Sequence, residues 1–203
     1  MEYYIFNIPF FVMNEVSEGV SIPELCADLE EFLPPALLRN VDVFYIGDFK
    51  ELKDRNAAYT DGAIYISNKE LTNEDVVENI IHEIAHSLED TFSQHIYDSA
   101  LISEFHSKRM TLKNILGARG YKMPSEYYEY LEYSPQFDSF LSSTVGYPEL
   151  LSLTMGLFAS PYGATSLQEY FANGFEKYFL DSPEVLRKVS PILHQKIEEL
   201  LDA

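Results

Sequence analysis

The chain has 203 residues, 46% of them hydrophobic, and a formal net charge of −19. That length and apolar content suffice for a packed core, read as one domain over residues 1–203, and 15 Tyr with 14 Phe exclude a disordered acidic chain. With 33 acidic against 14 basic residues, the field repels nucleic-acid phosphate and anionic membrane surfaces; a basic or neutral polypeptide suits it better.

The only cysteine, Cys26, cannot form an internal disulfide, so no oxidising compartment is required. The start, Met1 to Val12, is apolar but has no Lys or Arg ahead of it and is broken by Pro9, so an ordinary signal peptide is not expected. No stretch reaches the length of a membrane span. The default expectation is a cytoplasmic protein, with unconventional export left open.

In chain order, the first dozen residues are rich in Tyr, Ile, Phe and Val and fit a strand better than a helix. Leu25, Leu29, Phe32 and Leu33 then recur at helical spacing in a run from Ile22 towards Leu38, with Pro34-Pro35 as the stop. Strand signals return at Val41–Ile46 and, after the Asp61-Gly62 turn signal, at Ala63–Ser67. A helix over about Asn73 to Phe92 opens with Thr72 and Asp75 at capping-box spacing. Val76, Val77, Ile80, Ile81, Ile84, Ala85 and Leu88 give it a broad apolar face.

Beyond it the chain reads as mostly helical. Ser99–Leu116 forms one helix, and residues 121–165, punctuated by four prolines, hold a short helix near Pro148–Phe158. Two last helices are expected over Ser166–Leu180 and Pro183–Leu201, with Ser182 capping the second. The fold class is therefore α+β: a small N-terminal mixed sheet with one key helix (residues 1–92) and a mostly helical half (93–203).

That key helix carries His82-Glu83-Ile84-Ala85-His86. Four residues apart, the two imidazoles project from one helix face and reach a single ion, for which zinc is the natural choice. Glu83 lies beside them, where its carboxylate takes a proton from a metal-activated water without being a ligand. The reaction expected is peptide-bond hydrolysis by a zinc-dependent endopeptidase, with a polypeptide held extended along Ala63–Ser67 as an edge strand. Acid that charges both imidazoles should then abolish activity, because protonated His binds no metal.

A catalytic zinc wants a third protein ligand. Glu169, on the aromatic helix segment Gln168 to Phe179, is one candidate, with small Ala172 and Gly174 permitting close helix approach. Glu104, eighteen residues after His86, is the competitor and would imply aminopeptidase-like chemistry. A second His-bearing pattern after the motif is absent, since Glu89 and Phe92 stand at its Gly and His positions; His95, His106 and His194 read as surface or structural. Glu89 and Asp90 read as exposed charges or as outer partners of the histidines. A scaffold of this type that binds without cleaving, using zinc for stability alone, is the alternative function, and the intact Glu83 speaks against it.

His82 to His86, followed far downstream by Glu169-Tyr170-Phe171-Ala172 and Phe175, resembles the Glu-ligand zincins (gluzincins) of the anthrax lethal factor catalytic domain and Pro-Pro endopeptidase type. The likeness covers Ala63–Asp90 and Tyr162–Leu180. It implies a zincin-like fold, one zinc ion per chain, and Glu169 as third ligand. It also implies that Tyr162, seven residues before Glu169, donates a hydrogen bond to the oxyanion of the tetrahedral intermediate. Two departures stand out. Asn173 occupies the place of a carboxylate that orients a zinc histidine in those proteins, which implies a weaker metal site. The spacer between His86 and Glu169 is longer, so residues 121–161 read as an insertion. Neither kinase substrates nor a preference for Pro-Pro bonds is carried over.

Overall fold

The computed structural model describes residues 2–50, 52–53 and 55–202. By contact the chain divides into two compact units, residues 1–93 with 200–203, and residues 94–199.

The first unit is built on a five-stranded mixed sheet: β1 (Glu2–Ile5), β2 (Ile8–Val12), β3 (Val43–Gly47), β4 (Ala57–Thr60) and β5 (Ala63–Ser67). The strand order is β1-β2-β3-β5-β4, with β2, β3 and β5 mutually parallel and the two edge strands antiparallel to their neighbours. The first dozen residues are thus a hairpin, where a single strand was expected. Phe6 takes a positive φ of 53° in the turn, and its amide donates to Glu30 of α1 (Ile22–Phe32), so a tertiary partner holds a bend that neither Gly nor Pro announces. Pro9 stands one residue before the pairing with β3 begins at Phe10, so its missing N–H interrupts no rung there.

Period-two alternation separates the sheet faces. Ile5, Phe10, Phe44, Ile46, Ile64 and Ile66 lie on one face, all fully buried together with Leu25 and Leu29 of α1. On the other face Phe11, Tyr45 and Tyr65, which are register partners, stack at 5.6 and 5.4 Å between ring centroids. Asp61 and Gly62 both adopt positive φ (48° and 83°), the conformation a two-residue hairpin demands, and they join β4 to β5. Because β4 covers it, Ala63–Ser67 is an inner strand paired on both sides, and the expectation of a free edge there is corrected. The short Ala57–Thr60 strand is the edge.

Helix α2 (Asn73–Ile96) runs four residues past the expected end. Thr72 and Asp75 form the capping box: the Thr72 amide donates to Asp75 Oδ2 (3.1 Å) and the Asp75 amide to Thr72 Oγ1 (3.2 Å). Val76, Ile80, Ile81, Ile84, Ala85 and Leu88 are fully buried. Burying each large aliphatic side chain of that stripe contributes roughly 1.5–3 kcal/mol, far more than helix propensity.

The second unit is helical. Helix α3 (Ser99–Ala118) is capped by Asp98, whose carboxylate accepts from the Ala100 and Leu101 amides. After a 3-10 turn at Ser125–Tyr128 come α4 (Pro135–Ser139), a π-helical stretch (Phe140–Gly146) and α5 (Tyr147–Leu153). Residues 121–161 are thereby built into the unit's core, with Phe137, Leu141 and Leu150 fully buried. Arg109, 1% exposed, ties this region to the next: it donates to the carbonyls of Tyr127, Ala164 and Thr165 and lies against the rings of Phe105 and Phe137. Burial pulls its guanidinium down to about 10.

Helix α6 (Leu167–Leu180) is capped by Ser166. The expected last helix divides into α7 (Pro183–Val189), capped by Ser182 as anticipated, and α8 (Pro191–Leu201), because Pro191 donates no amide hydrogen bond and begins a new helix. No helix among the described residues is long and apolar enough to cross a membrane.

Candidate metal centre

On α2 the four-residue spacing brings the two imidazoles together. His82 and His86 are half-buried, their ring centroids lie 4.8 Å apart, and their Nε2 atoms converge to 3.1 Å. The other nitrogen of His86, Nδ1, lies 2.8 Å from Glu89 Oε1. Of the two acids one turn beyond His86, Glu89 therefore faces the histidine. Asp90 instead accepts from the Tyr59 hydroxyl at 2.6 Å.

Glu83 is buried, 9% exposed, and its Oε2 accepts the Tyr59 amide at 2.8 Å. Tyr59 stands opposite Ile64 on the edge strand β4, one pair in from the Thr60–Ala63 pair that closes the turn. In a two-residue hairpin that position points its amide away from the partner strand, and the edge of the sheet thereby fixes the carboxylate. One carboxylate oxygen, Oε2, is held in this way. Sequence reasoning missed Tyr59 because it missed β4: four residues without alternation give no strand signal.

In the second unit, Tyr162 lies in a 3-10 turn (Tyr162–Ala164) and its hydroxyl is 3.4 Å from Glu169 Oε1. This turn is strongly constrained. Thr165 returns both its amide (2.9 Å) and its hydroxyl (2.7 Å) to the Tyr162 carbonyl, Ser160 Oγ accepts the Gly163 amide (3.3 Å), and Arg109 holds the Ala164 and Thr165 carbonyls. Glu169 is in the first turn of α6, with its amide on the Ser166 cap (3.1 Å). Asn173 donates to the Glu169 carbonyl (3.0 Å) and accepts from the Ser160 hydroxyl. It is a neutral brace between the turn and the helix.

His82 and His86 on α2 of the first unit and Glu169 on α6 of the second are, among the described residues, the one group of three that could hold a metal ion. Glu104 stands outside that group, with its carboxylate committed elsewhere. It accepts the Tyr170 hydroxyl (2.8 Å) and caps α8 through the Ile192 (2.9 Å) and Leu193 (3.1 Å) amides. His95 pairs with Glu199 (3.1 Å), and His194, 7% exposed, packs against the Tyr178 ring and pairs with Glu198 (3.5 Å); His106 is exposed. All three lie outside the group as well.

Comparison of the chain with models of known families, with curated proteins and with solved structures yields no match.

Proposed function

We propose that the protein is a zinc-dependent endopeptidase of the zincin type, with His82, His86 and Glu169 as zinc ligands and Glu83 as general base. The observation that carries this reading is the convergence of two imidazole Nε2 atoms at 3.1 Å on one helix, with Glu169 completing the group and a buried carboxylate adjacent in sequence. Two nitrogens bound to one zinc at about 2.0–2.1 Å stand roughly 3.3 Å apart at a tetrahedral angle, so the pair fits that ion with little movement. Two imidazoles and a carboxylate also make the donor set of a catalytic rather than a closed structural site.

Bound zinc would supply Lewis acidity, acidifying a water and polarising a substrate carbonyl. The chain's own residues do the rest. Glu83 Oε1 takes the proton of the attacking water and returns it to the leaving amine, while the Tyr59 amide keeps the carboxylate from turning away. The Tyr162 hydroxyl, in its braced turn beside Glu169, donates to the developing oxyanion. The substrate is a polypeptide, in keeping with the likeness to lethal-factor-type and Pro-Pro endopeptidases that the motifs suggest.

The test uses the full chain, metal content and cleavage of an unstructured protein. One zinc per chain, turnover abolished by a chelator, and a loss of roughly 10²–10⁴ in turnover for Glu83→Gln with zinc retained are expected. Cleavage at the wild-type rate in Glu83→Gln would refute the mechanism. Zinc uptake without any cleavage would leave a metal-stabilised binding module.

A further inference from the structure

On sequence likeness, the carboxylate that orients a zinc histidine is missing from this chain, because Asn173 occupies its place. Asn173 is neutral and fully engaged in bracing Ser160 against α6. The first unit carries a carboxylate of its own. Glu89 Oε1 lies 2.8 Å from His86 Nδ1, on side chains only 13% and 22% exposed. We propose that Glu89 is the positioning residue for His86, so that this chain orients a metal histidine from within the motif helix; the proposal rests on the metal-site reading above.

The argument is one of tautomers. A neutral imidazole has one N–H and one lone pair, and it binds a metal only through the lone pair. A carboxylate at Nδ1 keeps the proton there and leaves the Nε2 lone pair facing His82 Nε2, 3.1 Å away. The same contact strengthens imidazole as a donor and restrains rotation of the ring.

Glu89 is well placed for this. It lies three residues after His86, one helical turn on, so the two share a face of α2. Its turn of helix is anchored on both sides in sequence: Leu88 is fully buried, and Asp90 holds the Tyr59 hydroxyl. Movement of Glu89 away from His86 therefore requires its side chain alone to reorient, out of a mostly buried setting. An ordinary surface i,i+3 ion pair lacks that constraint.

Glu89→Gln and Glu89→Ala in the full chain test the assignment, with His86→Ala as reference and Glu24→Gln, on an exposed position of α1, as control. Zinc affinity is read by competition with a chromophoric chelator, and the His86 tautomer by nitrogen-15 NMR on the metal-free chain at mildly alkaline pH. Glu89→Ala is expected to weaken zinc binding about 10–100-fold. Glu89→Gln should weaken it less, since its amide oxygen still accepts the Nδ1 proton. The wild type should show a protonated Nδ1 on His86, and Glu89→Ala a mixture of tautomers. Affinity within twofold of wild type for Glu89→Ala, or a wild-type His86 protonated at Nε2, would overturn the proposal. A wild-type chain that takes up no zinc would overturn the metal reading and this role with it. The two failures are distinguishable because the tautomer is read without metal.

Discussion

Replacing Gly174 by Ala decides between two opposed effects. In the middle of α6, Ala is favoured over Gly by about 1 kcal/mol through helix propensity. A Cβ built there, however, would stand 2.2 Å from Leu193 Cδ2 and 2.9 Å from its Cγ. Leu193 is fully buried on α8, so it escapes only by leaving its rotamer or by pushing the helices apart. Overpacking of this kind costs roughly 1–3 kcal/mol, and a contact this short belongs at the upper end. The expected net loss is about 2 kcal/mol, or roughly 4–8 °C in Tm for a chain of this size. Urea unfolding followed by circular dichroism measures it, and a cycle with Leu193→Ala isolates the cause. Leu193→Ala alone should cost about 2–5 kcal/mol and markedly less in the Gly174→Ala background, where the new methyl occupies vacated space. An increase in unfolding midpoint for Gly174→Ala, with no coupling to Leu193, would show that this glycine is an ordinary helix defect and not a helix contact.

Arg109→Leu removes the donors to three carbonyls and should destabilise the protein by about 3 kcal/mol or more, visible in the same unfolding assay. Arg109→Lys should not restore it, because the shorter lysine ends in one nitrogen where the planar guanidinium reaches three carbonyls through two, Nη1 and Nη2; full rescue by Lys would contradict that role. Thr72→Ala should cost about 1 kcal/mol, and adding Asp75→Ala should cost little more, since the two residues form one reciprocal cap; strictly additive losses would argue against the box. Burial, with the bond from its hydroxyl to Asp90, holds the Tyr59 phenol up to about 12. Its neutral form therefore contributes stability that is complete below the ordinary phenol value of about 10 and is lost as pH rises towards 12. The stability difference between wild type and Tyr59→Phe should narrow over that window, and a constant difference would refute the assignment.

Local chemistry determined what is periodic along this chain. The 3.6-residue repeat and the Thr72–Asp75 box define α2, and the four-residue spacing within it places His82 and His86 on one face of the helix. The Asp61-Gly62 turn, the β5 run and the Ser166 and Ser182 caps are similarly local, because each depends on neighbours within a few residues. Residues distant in sequence decided the rest. The bend at Phe6 depends on Glu30, twenty-four residues away, and neither Gly nor Pro marks it, only Asn7. Strand β4 is too short to show a pattern, yet its pairing with β5 makes Ala63–Ser67 an inner strand and aims the Tyr59 amide at Glu83. Which acid does what was equally illegible for Glu104, whose partners at the start of α8 lie 88 and 89 residues away. A carboxylate looks the same in every sequence; only the donors that folding brings to it give it a role.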